Sequence, residues 1–152
     1  MHYPAAMRFG EGAGRLAAQA LTFEEFLARE AKEGRLKLTL KKIAERALVH
    51  GHCHQKAFDA FGAVETVLKL IPDLKVETIE SSCCGMAGSF GYAADTIGVS
   101  QAMGELSLLP AVRKAPENAI IVADGTSCRH QIHDGAGREA VHVARVLAKS
   151  LQ

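Results

Sequence analysis

Apolar residues recur at two different spacings along this chain, and the switch between them divides it into elements. Within residues 14–34, Leu16, Ala20, Phe23 and Leu27 return every three or four positions, the repeat of one helical face. Thr22 followed by Glu25 has the form of a capping box, which predicts that a second helix begins there, and Gly34 is a suitable stop. Leu36, Leu38 and Leu40 then alternate with Lys37, Thr39 and Lys41. That period of two predicts either a short, half-exposed strand or an extended approach to the next strand.

Beyond this point one theme occurs three times: a short apolar run, a glycine-rich or polar loop, and a helical stretch. The runs are residues 47–50, 76–79 and 119–123. A helix over roughly 55–70 is predicted after the first, with Ala57, Phe61, Val64, Leu68 and Ile71 on one face and Glu65 four positions before Lys69. The second run leads through the loop 81–91 to helical patterns around 99–109, with Pro110 starting a new turn. The third leads to a short helix and then a terminal helix from about residue 138. Strands alternating with helices predict a Rossmann-like, three-layer α/β domain: a short, mainly parallel sheet with helices on both faces. Residues 1–21 read as an N-terminal arm or truncated element, and 22–152 as the domain itself. The charged residues Glu24, Glu25, Glu30, Lys32 and Glu33 read as a solvated helical face.

Composition narrows the chemistry. The chain has 152 residues, 48% apolar and 23% charged, enough for one globular core without covalent staples. A net charge of +1 supplies no basic field for nucleic acid, and no Trp, two Tyr and six Phe make a poor base-stacking platform. No apolar run approaches the roughly 18 residues of a membrane helix. The opening Met-His-Tyr-Pro-Ala-Ala lacks the apolar core of a signal peptide. The expectation is a cytoplasmic protein with neither a nucleic-acid partner nor a membrane span. In that compartment four cysteines point to metal or redox chemistry before disulfides.

Each cysteine falls just past one of the apolar runs: Cys53 after the first, Cys83 and Cys84 after the second, Cys128 after the third. In an open parallel sheet those carboxyl ends share the edge where ligands bind. Four converging thiolates are a ligand set for zinc or for an iron–sulfur cluster. Cysteines that merely fill a core would sit inside apolar periodicity, not in loops of Gly, Ser and His. The spacing also differs from a zinc knuckle, which uses short Cys-x2-4-Cys pairs. A vicinal pair with two distant single cysteines suits a multinuclear cluster better. Gly85, Gly88 and Gly91 let backbone pass close to a bulky ligand. The backbone around Gly125 to Ser127, entering a helix, would donate N–H groups to an anionic centre.

His52, His54 and His130 flank the cysteines as candidate surrounding donors, with Gly85, Gly88 and Ser127. His50 and His133 divide evenly between such a role and that of loop histidines bonded to backbone. His142 is placed on the face of the last helix. Gly85-x-x-Gly88-x-x-Gly91 is not the dinucleotide fingerprint, so no nucleotide site is assigned to it.

Three stretches, Val49-His-Gly-His-Cys-His-Gln-Lys56, Ser82-Cys-Cys-Gly-Met-Ala-Gly-Ser-Phe-Gly-Tyr92 and Ala123-Asp-Gly-Thr-Ser-Cys-Arg-His-Gln-Ile132, together resemble the cysteine-rich CCG domain. That domain occurs in the B subunit of heterodisulfide reductase and the iron–sulfur subunit of glycolate oxidase. It also forms the C-terminal part of fusion proteins that join an FAD-linked D-2-hydroxy acid oxidase to a ferredoxin-like segment. The resemblance covers roughly residues 23–151. It implies that Cys53, Cys83, Cys84 and Cys128 bind an iron–sulfur cluster of the four-iron, four-sulfur kind, lost or replaced by zinc in air. It further implies an electron-transfer role beside an FAD-linked dehydrogenase module for 2-hydroxy acids such as glycolate, lactate or 2-hydroxyglutarate. FAD would then lie only in a partner domain or chain. The longer family pattern ends in Cys-x-x-Cys, and here Gln131 stands at the last position. The family usually carries two copies of the motif and this chain carries one, which suggests a homodimer or a partner chain, with Leu16, Leu21, Phe23 and Phe26 as contact candidates. Two other readings stand beside this one: a zinc-binding structural or interaction module, and a thiol–disulfide module at Cys83-Cys84.

Overall fold

The computed structural model describes residues 5–152, with side chains from Gly10 onward; the first four residues of the expected arm lie outside it. Helix α1 (Ala5–Gln19) is interrupted at Gly10, where φ is 77°. Helix α2 (Phe23–Lys32) starts as its sequence predicts. The Thr22 side chain accepts from Glu25 N at 3.3 Å, and Thr22 N donates to the Glu25 carboxylate at 2.8 Å. Two otherwise unpaired first-turn donors are thereby satisfied. Gly34 follows the helix with φ 69°.

Strands β1 (Arg46–His50), β2 (Lys75–Thr78), β3 (Ile120–Ala123) and β4 (Ala140–Val141) form one parallel sheet in the order β2-β1-β3-β4. Between them run α3 (Cys53–Ala57), α4 (Phe61–Leu68), α5 (Ile97–Glu105), α6 (Leu108–Lys114) and α7 (Thr126–Ala136), and α8 (Val143–Ser150) closes the chain. The predicted α/β fold is the one observed. Side chains alternate across the strands and so build two cores. Ala47, Val49 and Val122 face one side, where they meet Leu27 of α2, Val64, Val67 and Leu68 of α4, and Val146 and Leu147 of α8. Ile121 and Ala123 face the other, against Leu108 and Val112 of α6 and Ile132 of α7. Each fully buried leucine or valine in these layers contributes roughly 1.5–3 kcal/mol.

Several expectations need correction. Residues 36–40 form no strand; Leu40 makes only an isolated antiparallel bridge with Leu151, so the extended approach is the reading that holds. The helix expected over 55–70 is two helices, separated at 58–60 where Asp59 takes φ 56°, and Ala57 is exposed. Glu65 turns to the Thr78 hydroxyl and forms no ion pair with Lys69. Strand β4 lies where the terminal helix was expected to begin, because two residues are too short a run to show a period. Glu24, assigned to a solvated face, is 3% exposed. His142 is not on the body of the last helix: its Nδ1 accepts from Ala144 N at 3.1 Å and caps α8.

Candidate metal centre

In this strand order the chain leaves β1 toward β2, then crosses back to the other side of β1 for β3 and β4. The carboxyl ends of β1 and β3 therefore flank the switch point, where open α/β sheets bind ligands. His50 ends β1, paired with Ala123 at the end of β3. Cys53 opens α3 directly beyond β1, and Cys128 lies in the first turn of α7 directly beyond β3. The loop after β2 supplies Cys83 and Cys84.

The thiols fall into two groups. Cys53 and Cys83 are half-buried and face each other; burial, with Cys83 as hydrogen-bond partner, pushes the Cys53 thiol up. Cys84 and Cys128 are buried, and their sulfurs lie with a ring nitrogen of His50 all within 4.8 Å of one another. The vicinal pair thus points to different partners. The backbone achieves this at Gly85, where φ is 94° and the amide N–H donates to Cys83 Sγ at 3.3 Å. A Cβ at Gly85 would overlap the Ser100 carbonyl oxygen, so the loop is seated against α5 at that point.

Hydrogen bonding by Cys128, supported by His50, brings the Cys84 thiol down to about 4. Its proton-bearing partner Cys128 moves up, through that same contact and through burial. The pair therefore holds one thiolate and one thiol near neutrality. The sign for stability follows. Cys84, depressed by the fold, favours the folded state above the ordinary thiol value of 9.0 and throughout the range down to about 4, below which that contribution is lost. Cys128, raised by the fold, opposes folding as pH climbs past the ordinary value. Metal-free protein should accordingly lose one thiolate's ultraviolet absorbance in a step near pH 4. A thiolate signal that appears only above about pH 8 would overturn this assignment.

His50 is the residue that sequence reasoning left undecided. It is 1% exposed, its Nδ1 lies 2.7 Å from Ser81 Oγ, and Ser81 Oγ donates to the Ile79 carbonyl at 3.4 Å. Nδ1 is thereby engaged with the Ser81 hydroxyl. Nε2 is buried and has no hydrogen-bond partner among the described residues. A metal-bound histidine has this arrangement, with its second nitrogen donating outward. The signal for it was parity: Val49 faces the α4 core, so His50 must face the cysteine side.

The remaining candidates separate. His52 caps α3, with Gln55 completing its capping box, and its ring lies against Gly125. A Cβ at Gly125 would overlap that ring and stand 2.9 Å from Cys128 Sγ, so glycine keeps room beside the sulfur. Burial, with His54 alongside, lowers the His52 pKa. His54 is exposed, Gly88 is exposed in the 3-10 turn Gly88–Tyr92, and Ser127 is half-buried. His130 is exposed and its Nδ1 lies 3.2 Å from the Tyr92 hydroxyl. Gln131 is 6% exposed, and its amide donates to the Ser100 carbonyl and hydroxyl at 3.1 and 3.3 Å. It ties α7 to α5 behind the site.

Two basic residues also hold the loops. Lys56 Nζ donates to the carbonyls of Ser81 and Ser82, clamping the cysteine loop to α3. Arg129 Nη1 donates to the carbonyls of Ala123 at 3.0 Å and Asp124 at 2.6 Å, fixing the turn before Cys128.

The fold and site define a class: a parallel α/β domain whose switch point carries a buried group of thiols and imidazole that could hold a soft metal ion. Relatives agree with a redox setting. Over 128 residues, 83% of this chain, it is 29% identical to the C subunit of the anaerobic glycerol-3-phosphate dehydrogenase of Escherichia coli (strain K12), covering 31% of that protein. It is 33% identical over 78 residues, 51% of the chain, to D-2-hydroxyglutarate dehydrogenase of the same organism, covering 8% of that protein. The D-2-hydroxyglutarate dehydrogenase of Pantoea ananatis (strain AJ13355) is 32% identical over 93 residues, 61% of the chain and 8% of that protein. The chain spans less than a third of the length of these curated relatives. No family model and no solved structure matches it. Its homologues are subunits or domains of dehydrogenases. Among the described residues no helix is long and apolar enough to cross a membrane.

Proposed function

We propose that this chain is an iron–sulfur electron-transfer domain of the CCG type, working beside an FAD-linked dehydrogenase module that oxidises a small hydroxylated acid or phosphate ester. The observation that carries this reading is the grouping of the buried Cys84 and Cys128 sulfurs with a ring nitrogen of His50, beside the facing pair Cys53 and Cys83. Cys53, Cys83, Cys84 and Cys128 would hold the cluster, with His50 as a fifth donor facing Cys84 and Cys128. A bound cluster supplies reversible one-electron storage. The residues of the chain supply the setting. Gly85 N and the first turn of α7 direct N–H groups toward negative charge, and Lys56 keeps the cysteine loop closed. His130 and Tyr92, exposed over the α7 side, would meet the electron partner, and the exposed Leu16, Phe23 and Phe26 would meet a neighbouring module, a ferredoxin-like segment or a second copy.

The test is iron and acid-labile sulfide content after anaerobic purification, with cluster reconstitution where content is low. Iron and sulfide in near-equal amounts, with charge-transfer absorbance, support the cluster. Protein that takes up neither under reconstitution overturns it. One observation favours a second reading: His50, Cys84 and Cys128 are close enough to hold a single zinc ion as they stand. Zinc bound without sulfide after anaerobic purification would establish that reading instead.

A further inference from the structure

A second group of donors lies at the same edge of the sheet and contains no sulfur. Asp124 follows the carboxyl end of β3 and His142 that of the adjacent β4, while Glu24 reaches in from the first turn of α2. One donor atom from each lies within 4.8 Å of the other two, and His142 Nδ1 is 3.7 Å from Asp124 Oδ1.

The described residues balance the charge of this group only in part. Glu24 is 3% exposed, and its Oε1 is buried with no hydrogen-bond partner among the described residues. Asp124 accepts from Gln55 Nε2 at 2.8 Å through one oxygen and from Val143 N at 3.0 Å through the other. No Lys or Arg among the described residues pairs with either carboxylate. His142 is the one basic side chain at hand, and its Nδ1 is occupied as an acceptor from Ala144 N. Burial, with the Asp124 charge, raises the Glu24 pKa, against the lowering effect of its own backbone N–H, His142 and the Thr22 side chain. A carboxylate oxygen buried without a donor is costly and calls for a specific explanation.

We propose that Glu24, Asp124 and His142 form a second metal site, for a divalent transition ion of the zinc class, separate from the cysteine centre. One imidazole and two carboxylates suit zinc, iron(II) or manganese better than a thiolate-seeking ion. Donors around a tetrahedral zinc stand about 3.4 Å apart, given bonds of about 2.0–2.2 Å. The His142–Asp124 separation of 3.7 Å is already near that value, and every pair lies within 4.8 Å. The ion would neutralise both carboxylates and give Glu24 Oε1 its missing partner. His142 would exchange the Ala144 N–H, a first-turn helix donor that water can satisfy, for the metal. His142 is 36% exposed against 9% for Asp124, so the site opens to water on the imidazole side, where a solvent ligand completes the shell. The ion would join α2, β3 and the start of α8. Through Asp124 and Gln55 it would also steady α3, which begins at Cys53. This site does not depend on what the cysteines bind.

Cobalt(II) titration of the reduced, metal-free chain separates the two centres. Thiolate-bound cobalt gives intense near-ultraviolet charge transfer, whereas cobalt on oxygen and nitrogen gives only weak visible bands. The expected result is one ion of the second kind, beyond any thiolate-bound cobalt and present even where no thiolate band develops. In Glu24→Gln and His142→Gln this ion should bind about tenfold more weakly or less, with the thiolate band unchanged. Zinc should raise the melting temperature of the parent chain more than that of Glu24→Gln. The metal-free Glu24→Gln protein should melt no lower than the parent, since it loses a buried carboxylate oxygen that has no donor. Cobalt found entirely in the thiolate form, equal binding of the second ion by the variants, or a metal-free Glu24→Gln protein that unfolds would each overturn the proposal.

Discussion

Replacing Cys84 by serine is expected to strip the cysteine centre of metal while leaving the fold standing. Cys84 is the buried member of the vicinal pair and lies next to both His50 and Cys128. A hydroxyl in place of that thiolate is a far poorer ligand for a soft ion, and loss of metal content by about tenfold or more should follow. Cys84 and Cys128 are themselves members of one of the two apolar cores, but oxygen in place of one sulfur leaves the aliphatic members of both in place. One is built from β1, α4 and α8, the other from β3, α6 and α7. The near-isosteric change should cost about 1 kcal/mol of stability. Elemental analysis and far-ultraviolet circular dichroism measure the two effects separately. Full metal content in Cys84→Ser would remove this residue from the centre. Loss of helical signal together with metal would mean that the metal holds the fold itself.

The second large effect is expected at Gly85. Its φ of 94° is a conformation that residues with a Cβ seldom adopt, and the added carbon would overlap the backbone carbonyl of Ser100. Neither atom sits at the end of a flexible side chain, so α5 or the cysteine loop must move. Gly85→Ala should lower stability by about 3 kcal/mol or more, read as a fall in the urea midpoint. It should also disturb the centre, because the Gly85 amide donates to Cys83 and the same turn sends Cys83 and Cys84 in different directions. An unchanged midpoint with normal metal content would show that the turn is not needed.

Those two positions could be picked out in the sequence because each carries a local signature: cysteines after apolar runs, and a glycine inside a cysteine loop. The capping box at Thr22 and the three runs that became β1, β2 and β3 were legible for the same reason. What escaped notice depended on which neighbour a residue meets. Glu24 stands among charged residues at helical spacing, and only the docking of α2 against the end of β3 turns it inward. Asp59 breaks a helix whose apolar spacing is continuous across the break, since periodicity carries no record of a single left-handed residue. His50 reads equally well as loop or ligand until the parity of β1 assigns it a side. Leu36, Leu38 and Leu40 alternate like a strand but find no adjacent strand to pair with beyond the single bridge at Leu151.

The order β2-β1-β3 also governs when the centre can come into being. Its proposed donors are His50, Cys53, Cys83, Cys84 and Cys128, and they meet only after β1 has paired with β2 on one side and with β3 on the other. During synthesis the first three cysteines leave the ribosome well before Cys128 does, so an early-bound ion would sit on a partial ligand set in an unfinished sheet. Loading of the proposed centre would therefore be a late event, acting on a domain whose three strands have already paired.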